Sequence, residues 1–119
     1  MSSTKFAVDL VTSVGGNLGS VGRSLTRLGI NFNAVDVGNP PDGSRPIILP
    51  GVGAFGAVMA SLREGEFDRA VKSSVQAGTP FLGVCVGMQI LFDSSEEAPG
   101  VAGLGLVKGK VVKYTQGKV

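Results

Sequence analysis

Phe81-Leu82-Gly83-Val84-Cys85-Val86-Gly87-Met88-Gln89 is the stretch on which the reading of this 119-residue chain turns. Phe81 to Val84 is an apolar run of the kind that forms a buried parallel strand. Met88 to Phe92 has the make-up of a short helix. Between them, Gly83-Val84-Cys85-Val86-Gly87 has the form G-x-S-x-G with cysteine in place of serine. In that pattern the flanking glycines permit a strained turn that lifts the central side chain out of the sheet. The start of the following helix adds partial positive charge near the sulfur. Cys85 is thus a candidate nucleophile. The alternative is that it is a small buried hydrophobe, the usual role of a lone cysteine.

Upstream, the same strand-and-helix alternation repeats. Lys5 to Val11 is a β-branched apolar run, closed by the turn Val14-Gly15-Gly16-Asn17. Leu18, Val21, Leu25 and Leu28 then fall three or four apart on one helical face, and Gly29 stops the helix. Asn31 to Val37 reads as a second strand, Asn39-Pro40-Pro41-Asp42-Gly43 as a surface turn, and Pro46 to Leu49 as a short buried strand. Helical spacing runs from Ala54 to Leu62 and again from Phe67 to Val75, before Gly78-Thr79-Pro80 leads into Phe81. Downstream lie a polar turn, Asp93 to Gly100, and a strand over Leu106 to Tyr114 that carries Val107, Val111 and Val112. Alternating strands and helices predict a parallel α/β sheet.

Composition narrows the function classes. With 43% hydrophobic and 17% charged residues the chain can bury a core. The net charge is +2 and the basic residues form no run, so nothing marks a nucleic-acid surface. No stretch approaches the roughly 20 apolar residues of a membrane span, and the N-terminus lacks an export signal, so a cytoplasmic protein is expected. One cysteine and no histidine leave no intrachain disulfide and no Cys/His metal site.

Two glycine-rich loops invite different readings. Pro50-Gly51-Val52-Gly53-Ala54-Phe55-Gly56 follows a strand and can turn backbone N–H groups towards developing negative charge. Its residues from Gly51 also match G-x-G-x-x-G, but no acidic residue ends the next strand. Gly15-Gly16-Asn17-Leu18-Gly19, with Asp36 ending the next strand about 20 residues on, imitates a dinucleotide site more closely, although Val14 stands where its first glycine belongs. A nicotinamide-binding oxidoreductase and a redox-sensing domain sharing the cysteine turn therefore stay open.

Taken together, Gly16-Asn17-Leu18 with Ser20-Val21, the loop Pro50 to Gly56, and Pro80 to Gln89 resemble the class I (triad) glutamine amidotransferases. Within that class, the loop, Met88 before Gln89, and Ser95-Glu96-Glu97 followed by Gly103-Leu104-Gly105-Leu106 resemble the glutaminase subunits of imidazole glycerol phosphate synthase. The resemblance implies a flavodoxin-like three-layer sandwich with parallel strands in the order 2-1-3-4 and helices on both faces. Residues 1–119 would be the N-terminal portion of one such domain, lacking its C-terminal part.

The resemblance also implies a chemistry. Glutamine would be hydrolysed to glutamate and ammonia through a thioester on Cys85. Backbone N–H groups of Val52 or Gly53 and of Val86 would form the oxyanion hole. Gly51, Gln89 and Glu97 would contact the substrate, Glu97 at its α-amino group, although a solvated helix-end charge explains Glu97 as well. No cofactor or metal is implied. The partner would be a cyclase subunit that receives ammonia to make imidazole glycerol phosphate in histidine biosynthesis, with no part for nucleic acid or membrane. The histidine and glutamate that complete the triad lie near the family's C-terminus, and Gly117-Lys118-Val119 resembles the lead-in to that region. The N-terminal turn Val11 to Gly15 departs from many relatives.

Overall fold

The computed structural model describes residues 7–14 and 18–114. The elements in chain order are β1 (Ala7–Val11), α1 (Leu18–Arg27), β2 (Asn31–Val35), β3 (Ile47–Gly51), α2 (Phe55–Arg63), a 3-10 turn (Glu64–Glu66), α3 (Phe67–Gln76), β4 (Phe81–Cys85), α4 (Val86–Gln89), β5 (Ser94–Ser95) and β6 (Lys110–Val111). The four long strands form one parallel sheet in the order β2-β1-β3-β4. The expected strand order is therefore observed.

Side-chain alternation along the central strands builds two cores. Val8, Leu10 and Ile48 meet Leu25 of α1, with Val21 and Ile30 packed alongside. Val11, Val35, Ile47 and Leu49 belong to a larger cluster with Phe55, Val58, Met59 and Leu62 of α2, and Phe67 and Val71 of α3. Helices thus cover both faces of the sheet. Ile90 and Leu104 close the larger core beyond β4.

Within the sheet, Asp9 is buried on β1 and accepts from Arg45 Nε at 2.7 Å and from Asn33 Nδ2 at 3.2 Å. The hydrogen bond to Asp9, and then its charge, hold the Arg45 guanidinium above its ordinary pKa. This pair fastens the 36–46 connection to the central strand, which a buried carboxylate requires.

Several expected boundaries shift. The first strand's Lys5 and Phe6, and Gly15-Gly16-Asn17 of the first turn, lie outside the described residues, as does the side chain of Leu18. Leu28 falls beyond the end of α1 and is 72% exposed, and the next residue, Gly29 at φ 76, turns the chain out of the helix. β2 ends at Val35, where Asp36 starts a tight turn whose N–H groups of Gly38 and Asn39 donate to its carboxylate. The strand expected over Leu106 to Tyr114 shrinks to two residues paired with Ser94–Ser95, since Gly109 at φ 139 interrupts extended backbone.

Burial sets a stability contrast. Phe55 is fully buried between α2 and the sheet, whereas Leu82 on edge strand β4 is 57% exposed. Phe55→Ala should lower the unfolding free energy by about 3–5 kcal/mol and Leu82→Ala by less than about 1 kcal/mol, as measured by urea titration.

Candidate active site

Parallel pairing brings two loops together at one end of the sheet. In the β3–β4 register Gly51 stands opposite Cys85 and Pro50 opposite Val84. The Gly51–Ala54 loop and the turn at Cys85 therefore leave the sheet side by side. The chain turns at Cys85 itself, with φ 57 and ψ −123. Among the described residues, Cys85 and Glu66 alone are non-glycine residues at positive φ. Such a conformation costs an L-residue of order 1–3 kcal/mol and persists only where surroundings enforce it. The cysteine is exposed, so the reading of Cys85 as a small buried hydrophobe is set aside.

The enforcing contacts are backbone on backbone. A Cβ on Gly83 would lie 2.7 Å from Met88 Cα, and one on Gly87 would fall on the Leu49 carbonyl. A Cβ on Gly51 would sit 2.9 Å from the Gly87 nitrogen. No side chain fits at these three positions, so β3 and the turn approach as closely as main chain allows. Val86 and Gly87 thus lie against the end of β3, and Val52 and Gly53 continue from it, both exposed, with Gly53 at φ 107. The helix that follows, α4, is a single turn from Val86 to Gln89, shorter and earlier than Met88 to Phe92.

Gln89 and Glu97 meet in a neighbouring groove of about 490 Å3, shared with Ser95, Glu96, Val111 and Lys113. Cys85 is not among the lining residues. Glu97 has a partner the sequence did not indicate: Oε2 of its carboxylate accepts the N–H of Phe55, the first residue of α2, at 2.9 Å. A cue existed, because Ala54 at the helix N-cap has no side-chain acceptor. Asp36, the acid of the nicotinamide reading, has its carboxylate oxygen Oδ1 occupied by the turn beyond β2. Gly15 to Asn17 of that reading lie outside the described residues.

Backbone strain at Cys85 makes an unusual stability prediction. Glycine adopts φ 57 and ψ −123 freely, so Cys85→Gly should be as stable as the wild type or more stable by up to about 1 kcal/mol in urea. At an unstrained strand end the same change destabilises.

Comparisons with known proteins agree with this geometry. The chain is 42% identical over 104 residues to subunit HisH of imidazole glycerol phosphate synthase from Thermus thermophilus, covering 87% of this chain and 52% of that protein. To the Deinococcus radiodurans subunit HisH it is 47% identical over 103 residues, covering 83% and 46%. The chain spans about half the length of the curated relatives it matches. A crystal structure of a glutamine amidotransferase superposes with a TM-score of 0.75 at 25% identity, covering 93% of this chain and 59% of its own. The CobB/CobQ-like glutamine amidotransferase domain matches residues 26–118. With the cysteine turn, the glycine contacts and the sheet order in agreement, the chain belongs to the CobB/CobQ-like glutamine amidotransferase domain family.

Proposed function

We propose that residues 1–119 are the N-terminal portion of a single glutamine amidotransferase domain, and that the whole protein is a cytoplasmic glutaminase subunit of imidazole glycerol phosphate synthase. The observation that carries the reading is Cys85 held at φ 57 opposite Gly51, with the main chain of both loops in contact. Similarity to the HisH subunits supports the choice of synthase.

In the proposed reaction the Cys85 sulfur attacks the side-chain amide carbon of L-glutamine. The carbonyl electron pair moves onto oxygen, and the resulting oxyanion is held by N–H groups of Val86 and of Val52 or Gly53. Collapse of the tetrahedral intermediate restores the carbonyl, breaks the C–N bond and releases ammonia, which leaves with a proton. Water then attacks the thioester, giving glutamate and the free thiol. Gly51, Gln89 and Glu97 are assigned to holding the substrate. A cyclase partner takes up the ammonia and makes imidazole glycerol phosphate.

Proton transfer to departing ammonia calls for a general acid, and these 119 residues contain no histidine. A chloroketone analogue of glutamine should label Cys85 with saturating kinetics and fail to label Cys85→Ser. Glutamate release from glutamine by the 119-residue chain should stay at least ~100-fold below that of a histidine-containing relative, the usual contribution of general acid–base catalysis. Saturable NADH binding without labelling would favour the oxidoreductase, and peroxide sensitivity with neither property a redox sensor.

A further inference from the structure

We propose that Glu97 is a positioning residue for the Gly51–Ala54 loop: its carboxylate supplies the helix cap that Ala54 cannot, and so fixes the direction of the Val52 and Gly53 N–H groups. The proposal rests on the glutaminase reading of Cys85 and adds a residue that acts through the backbone.

The loop has two anchors. At its start, Gly51 is paired with Cys85 in the sheet and pressed on the Gly87 nitrogen. At its end, Phe55 buries its ring in the core and donates its N–H to Glu97 Oε2 at 2.9 Å. Between these anchors Val52 and Gly53 are exposed, and a Cβ on Gly53 would meet open space. Ala54 occupies the N-cap position with extended backbone and no side-chain acceptor. A carboxylate at the start of the nine-residue α2 both satisfies a free N–H and complements the helix dipole.

Glu97 is itself held in place. Its N–H donates to the Ser95 hydroxyl at 3.2 Å, and Ser95 is buried. Next to it, Ala98 and Val101 lie where they would meet a Cβ on Gly56 at 3.8 and 3.9 Å, so the segment lies flat on the first turn of α2. Glu97 also lines the groove with Gln89, so one carboxylate joins that groove to the loop beside Cys85.

The test compares Glu97→Ala, which removes the cap, with Glu97→Gln, which keeps an acceptor oxygen and loses the charge. In the chain alone, hydrogen exchange at the Phe55 amide should speed up about tenfold in Glu97→Ala and stay within about threefold of wild type in Glu97→Gln. The limiting rate of Cys85 labelling by the chloroketone analogue should fall about tenfold in Glu97→Ala and recover in Glu97→Gln. Labelling by iodoacetamide, which needs no oxyanion hole, should stay within about twofold in both. Unchanged Phe55 exchange in Glu97→Ala would overturn the proposal. So would a loss confined to half-saturation, with the limiting rate intact, because Glu97 would then be a substrate contact alone. If wild-type Cys85 reacted with iodoacetamide but never saturably with the chloroketone, the glutaminase reading would fail instead and take the positioning role with it, whatever the Phe55 exchange.

Discussion

Three glycines let the end of β3 and the turn after β4 meet backbone to backbone, and the rest of the site depends on that contact. Gly83 and Gly87 give the chain room to fold back on itself, and Gly51 gives it room beside its neighbour. The contact leaves Cys85 as the residue at which the direction of the chain must change, and φ 57 is the result. Strain at that residue is stabilised by burial elsewhere. Leu49, whose carbonyl lies against Gly87 of the turn, is fully buried in the larger core, as is Ile90 just beyond α4. The hydrophobic faces of β3 and of the α4 exit thus clamp the turn from below, and the sulfur is left exposed above.

The segment after α4 has a second, separate role. Leu104 donates its N–H to the Ile90 carbonyl at 2.7 Å, and Arg63 at the far end of α2 reaches the Ala102 carbonyl at 2.6 Å. With Glu97 on the near end of α2, residues 97–104 span the whole length of that helix. A connection with little regular structure is therefore ordered by the helix it crosses. This arrangement joins the loop before α2, the turn at Cys85 and the groove at Gln89 in one network of contacts.

Most of the sheet was legible in the sequence because its signals are local. Apolar runs such as Pro46 to Leu49 and glycine stops such as Gly29 report on a few neighbouring residues, and the observed β3 and α1 follow them closely. Strand order came from resemblance and not from the residues. The turn at Cys85 was legible for the same local reason, since the glycines that make it possible stand two positions on either side. The partner of Glu97 was not, because a hydrogen bond between residues 42 positions apart leaves no periodic trace. Val107 and Val112 misled in the opposite direction. Their β-branched side chains suggested a long strand, but Gly109 breaks the extended backbone, and both valines remain exposed.

The proposed mechanism requires the Cys85 turn and the Gly51–Ala54 loop together to receive a negatively charged oxygen. The most direct measurement is a crystal structure of the chain with a glutamine-derived ketone bonded to the Cys85 sulfur. The former carbonyl oxygen should lie about 3 Å from the N–H of Val86 and from that of Val52 or Gly53. An adduct whose oxygen points to solvent, with neither loop donating to it, would contradict the mechanism.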